Sequence, residues 1–170
     1  LAQFLSKKTG QTKKLIIELK IDPEDSIEYE DRFVKTFTTF LQSNLELIDF
    51  IAAVISFDRE LLFRVANYKI NEIKYLLLTC AKDDNYHMVN LTSPDYIKNA
   101  IGLIRNTRLD GLYLEYQPEM ILRKTKFVDL VDVMRIGIWN SNPGMDGLNT
   151  YPKLIKTDIK ISYLNSDLPG

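Results

Sequence analysis

The chain has 170 residues, 45% hydrophobic and 26% charged, proportions that suit one soluble globular domain with apolar mass enough for a core. Its 22 Lys plus Arg stand against 23 Asp plus Glu, a net charge of -1 that leaves no basic excess for counterion release and so argues against a nucleic-acid partner. One cysteine, Cys80, and one histidine, His87, exclude an internal disulfide, a thiolate zinc site and any scheme needing two imidazoles, and no apolar run reaches the roughly 20 residues of a membrane span.

Taken in order, short apolar runs alternate with stretches of helical spacing. Leu15 to Ile21 reads as a first strand, closed by the turn signal Asp22-Pro23. Tyr29, Phe33, Phe37, Phe40 and Leu41 then recur at intervals of one, three and four, the buried stripe of an amphipathic helix. A second strand is predicted over Ile48 to Ile55, a helix over Arg59 to Ala66 and a third strand over Ile73 to Thr79. Thr92-Ser93-Pro94-Asp95 starts a helix with a capping hydroxyl and an early proline. Tyr96, Ile97, Ala100, Ile101 and Ile104 supply its stripe, and it ends near Asn106. Leu109 to Tyr116 is the fourth strand, Phe127 to Met134 a helix, Arg135 to Trp139 the fifth strand and Ile159 to Leu164 the sixth. Strands apolar on both faces belong to a parallel sheet covered by helices. Such a βα succession fits a doubly wound sheet or part of a (β/α)8 barrel, and periodicity does not choose between them.

One run is more specific. Leu109-Asp110-Gly111-Leu112-Tyr113-Leu114-Glu115-Tyr116-Gln117-Pro118 resembles the fourth barrel strand of glycoside hydrolase family 18, the chitinases and chitinase-like proteins, with its pattern D-G-x-D-x-D-x-E. Neighbouring stretches fall in matching order. Arg59 to Leu78 is similar to the family's second helix and third strand, Ser93-Pro94 to Arg105 to its third helix, and Lys126 to Met134-Arg135 to its fourth. Tyr151-Pro152-Lys153-Leu154 through Leu164-Asn165-Ser166-Asp167 to Gly170 resembles its sixth strand, usually M-x-Y-D. The resemblance covers residues 48 to 170; residues 1 to 45 carry no family motif.

What the resemblance implies is a TIM-type barrel, and a damaged active site within it. The family's general acid is the motif's final Glu, which protonates the glycosidic oxygen while the substrate's own N-acetyl group acts as nucleophile. Here the column reads Asp110, Tyr113, Glu115 and Gln117. Gln117 stands at the acid's position, and an amide has no proton to donate at neutral pH. Tyr113 replaces the first inner Asp and Glu115 the second, Asp167 keeps the sixth-strand Asp, and Cys80-Ala81 stand where strand-three glycines belong. Glu115 is either a carboxylate satisfied at a strand end or a substitute acid, as is Glu119. Trp139, the only tryptophan, is either rim packing or a platform for a sugar.

The expectation is a non-catalytic chitinase-like protein without metal or cofactor. Tyr113, Glu115, Gln117, Trp139 and Asp167 would bind a glycan containing N-acetylglucosamine, or a protein partner. The alternatives are a scaffold that has lost its ligand, and a weak chitinase using Glu115 or Glu119. Family habit implies an extracellular protein, with Asn90 in the sequon Asn90-Leu91-Thr92 carrying a glycan. His87, in a polar stretch, reads as a surface residue. Residue 1 is Leu, and a cleaved signal peptide would leave no trace. A complete barrel of this class needs about 250 residues. The chain is therefore expected to be one incomplete barrel of about six βα units that stops after strand six. Its open edges would be covered by missing chain, by a partner, or by residues 1 to 14.

Overall fold

The computed structural model describes residues 14–22, 24–68, 70, 72–79, 94–116, 134–139 and 160–164. They group into two compact units, Leu1–Tyr75 and Leu76–Gly170.

In the first unit β1 (Leu15–Glu18) runs parallel to β2 (Ile51–Ser56), with Ile17 opposite Val54 and Glu18 opposite Ile55. The strand is shorter than the apolar run because a side chain takes over from the ladder. The Leu19 amide still donates to the Ile55 carbonyl at 2.8 Å, but the Leu19 carbonyl accepts from the Ser56 hydroxyl, also at 2.8 Å. Helix α1 (Ile27–Ser43) starts where the Ser26 hydroxyl accepts the Tyr29 amide, with Glu28 and Glu30 in the favourable first turn.

The buried face of α1 keeps only Leu41 of the expected stripe. Val34, Thr38 and Leu41 face the core, whereas Tyr29 and Phe40 are 40% and 51% exposed. Phe33 and Phe37 lie half-buried to one side with their rings stacked, centroids 6.2 Å apart. Burial of Thr38 is tolerable because its hydroxyl donates to the Val34 carbonyl at 2.7 Å, the helical back-bond that hides a polar group. The second strand also starts later than its apolar run, since Leu45–Ile48 forms the short helix α2 and the Phe50 amide closes a turn onto the Leu47 carbonyl. Helix α3 (Arg59–Ala66) begins at Asp58, whose carboxylate accepts the Leu61 amide at 2.9 Å, and buries Leu61, Leu62, Val65 and Ala66. Arg64 joins it to α1 through Glu30, at 3.0 Å, and Asp31.

Strand β3 (Lys74–Thr79) has its last four residues in the second unit. There it pairs parallel with β4 (Gly111–Glu115), β4 with β5 (Arg135–Trp139), and β5 with β6 (Tyr163–Leu164). Helix α4 (Pro94–Asn106) lies between β3 and β4 in the chain and buries Ala100 and Ile104. Register sorts the strands into rows. Leu77, Leu112 and Ile136 form one row and Thr79, Leu114 and Ile138 another, an almost wholly aliphatic face. The opposite face carries the row Leu78, Tyr113, Gly137 and Tyr163, and above it Glu115 beside Trp139. The fifth strand matches its expected bounds; the fourth is trimmed at both ends, and the sixth keeps only two residues of the expected run. The expected helix before Met134 lies outside the described residues.

The barrel expectation is corrected. Among the described residues the strands pair in parallel within each unit, β1 with β2 in the first and β3 through β6 in succession in the second, and no ladder closes either set on itself. Closure needs a strand number, tilt and stagger that together bring the last strand to the first. Each unit is α/β structure with parallel strands, and the described residues do not form a (β/α)8-type barrel. Among the described residues no helix is long and apolar enough to cross a membrane.

Candidate functional site at the carboxyl ends of β3 to β5

Ligands of parallel α/β sheets bind outside the carboxyl ends of the strands, because helices cover the faces and the loops there are free to vary. In the second unit those ends are Thr79, Glu115 and Trp139. Glu115 lies directly across the ladder from Trp139, and both are half-buried. The Tyr116 amide donates to the Trp139 carbonyl at 2.6 Å, which carries the pairing one residue beyond β4. The indole is anchored too: Nε1 donates to the Thr79 carbonyl at 3.1 Å, so a side chain from β5 reaches the end of β3 across β4. Thr79 is itself buried, its hydroxyl making a long contact of 3.4 Å to the Tyr113 carbonyl.

One row below, Tyr113 is fully buried. Its ring crosses onto β5 because residue 137 is glycine: a Cβ there would lie 2.1 Å from Tyr113 Cδ2. Gly137 also faces Tyr163 of β6. Burial pushes the Tyr163 phenol above its usual 10.0; Arg135 pulls it down, and Asp110 adds to the rise. Asp110 departs from the expected column. It precedes β4, at the end opposite Glu115, and its carbonyl accepts the Arg135 amide at 2.9 Å. Alternation from Tyr113 instead puts Gly111 on that face.

The structure thus brings together Tyr113, Glu115 and Trp139 of the expected residues. Gln117, Asp167, Glu119, Asn90, His87 and Cys80 lie outside the described residues. Thr79, Gly137 and Tyr163 went unnoticed in the sequence as parts of this site, although a glycine inside the apolar run Arg135 to Trp139 is a signal of close approach. Among the described residues no three of His, Cys, Asp and Glu are grouped to hold a metal.

The chain matches no family model, no curated protein and no solved structure. What the site can do therefore follows from its own groups. An indole offers an apolar face to the C–H side of a sugar ring, and a carboxylate accepts hydrogen bonds from hydroxyls. The two sit side by side on a ladder that fixes their spacing.

Proposed function

We propose that this chain is a non-catalytic, chitinase-like protein that binds a glycan containing N-acetylglucosamine at the carboxyl ends of β3 to β5. The observation that carries this reading is the burial of Tyr113. It stands where the D-G-x-D-x-D-x-E pattern has its first inner Asp, and it packs on Gly137 while Glu115 and Trp139 stay half-buried above it. Replacement of that Asp by a phenol removes a carboxylate from the motif, and Gln117 at the acid's position removes the proton donor. Glu115 and Trp139 keep the chemistry of sugar recognition without that of hydrolysis. By family habit the protein works outside the cell, with a glycan on Asn90.

A second reading, a scaffold with no ligand, draws on the Nε1 bond to Thr79, which makes the indole part of the packing. The lone tryptophan separates the two, because all tryptophan emission comes from Trp139. Titration with N-acetylglucosamine oligomers is expected to shift that emission saturably, and a chromogenic chitobioside is expected to release no more product than with a Gln117→Leu variant. Unchanged emission at millimolar sugar favours the scaffold. Release above the variant's level restores an enzyme.

A further inference from the structure

Among the described residues β1 pairs only with β2, and its Leu15, Ile16 and Ile17 stay half-buried while Ala53, Val54 and Ile55 of β2 are buried. The Leu15 and Leu19 amides donate to the Phe50 and Ile55 carbonyls at 2.6 and 2.8 Å. Alternation along the strand therefore turns the amide and carbonyl of Ile16 and of Glu18 to the outer side. The irregularity beside Leu15 leaves that alternation intact, because Leu15 faces Ile51 and Ile16 faces Ala53, so the extra residue belongs to β2. A strand edge with its polar groups turned outward is a template for another strand.

We propose that this edge pairs antiparallel with the same edge of a second copy of the chain, about a two-fold axis at Ile16. An axis between two residues would set outward backbone groups against inward ones, so the axis must pass through a residue. At Ile16 it sets Lys14 of each copy opposite Glu18 of the other, and Leu15 opposite Ile17. Lys14 and Glu18 are both exposed, and opposite charges directly across an antiparallel ladder attract. The other registers lose this match. An axis at Ile17 opposes Lys14 to Lys20, one at Glu18 opposes two carboxylates, and one at Leu15 sets Lys14 against Ile16. The occupant is a second copy because β1 itself carries both halves of the charge match, and a two-fold pair uses up both edges and stops at two.

The test is sedimentation equilibrium of the whole chain up to about 0.5 mM, for the unaltered protein, Lys14→Glu, Glu18→Lys and the double variant, with circular dichroism to verify folding. A monomer–dimer equilibrium is expected. Each single reversal sets like charges opposite one another twice per dimer and is expected to weaken association by about tenfold, and the double variant to return within about threefold of the unaltered protein. Exchange of the Ile16 and Glu18 amide hydrogens is expected to slow as the chain is concentrated. A monomer at every concentration would overturn the proposal, and slow exchange of those amides in that monomer would show the edge covered by the chain itself. A dimer indifferent to the single reversals joins through another surface and overturns it as well, as does a double variant no tighter than the singles.

Discussion

At residue 137 the absence of a methyl group decides how the row beneath the site packs. The Tyr113 ring lies where that methyl would be, so Gly137→Ala must displace a buried aromatic side chain. Overpacking of this kind costs about 1–3 kcal/mol, measurable as a lower urea midpoint. Gly111 is the harder case. A Cβ there would meet the Arg135 carbonyl oxygen at 1.8 Å, and backbone has no rotamer to retreat into. Gly111→Ala is therefore expected to destabilise more than Gly137→Ala, and the reverse order would contradict this packing. Tyr163, on the other side of Gly137, carries a pH signature. Its phenol pKa is raised in the folded protein, mainly by burial, so the folded state holds that proton more tightly than the unfolded one. The stability this supplies is present below pH 10 and is lost as pH rises past it. Unfolding followed against pH is expected to show an alkaline loss that Tyr163→Phe reduces. At this scale the placement of Glu115 and Trp139 at strand ends was legible, because a polar residue and a lone indole stand out at the ends of apolar runs. Gly137 was not, because its importance comes from Tyr113 on the next strand.

The helices show how local chemistry sets boundaries better than it sets faces. Ser26 and Asp58 accept the amides of Tyr29 and Leu61 in the first helical turn, where no carbonyl four residues back belongs to the helix. Ser26→Ala and Asp58→Ala are each expected to cost about 1 kcal/mol in urea unfolding. Gly102 lies within α4 with nothing within 4 Å of a Cβ placed there. Gly102→Ala is thus expected to stabilise by about 0.5–1 kcal/mol, since alanine keeps less backbone freedom in the unfolded chain. The existence of α1, α3 and α4 was legible from apolar spacing, whereas the caps Ser26 and Asp58 went unread. The face of α1 was legible only at Leu41: the aromatics Tyr29, Phe33, Phe37 and Phe40 mark a helical stripe, but the core takes Leu41 with the neighbouring Val34 and Thr38. Thr38 counts as polar in a pattern and is buried only because the helix's own carbonyl satisfies its hydroxyl. Strand ends failed for a related reason. The Ser56 hydroxyl ends the β1 ladder at Leu19, a contact 37 residues away in sequence that no local window contains.

For the molecule as a whole, near-neutral charge and parallel strand pairing were both legible, the first by counting and the second from strands apolar on two faces, whereas the order of the strands was not. The barrel was not. A strand motif reports its own residues, whereas closure depends on how the first and last strands meet, which is set by strand number and stagger over the whole sheet. With an isoelectric point of about 5.9, the chain is expected to be least soluble near pH 6, where self-repulsion vanishes. The central claim is that the ends of β3 to β5 bind a glycan without hydrolysing it. The single indole of Trp139 gives one Nε1–H resonance, held by the Thr79 carbonyl, and a proton NMR titration with the N-acetylglucosamine trimer reads that proton and the sugar's anomeric signals in one spectrum. A saturable shift of the indole proton with unchanged anomeric signals is the expected result. An indole resonance unmoved at millimolar sugar, or the growth of new reducing-end signals, would contradict it.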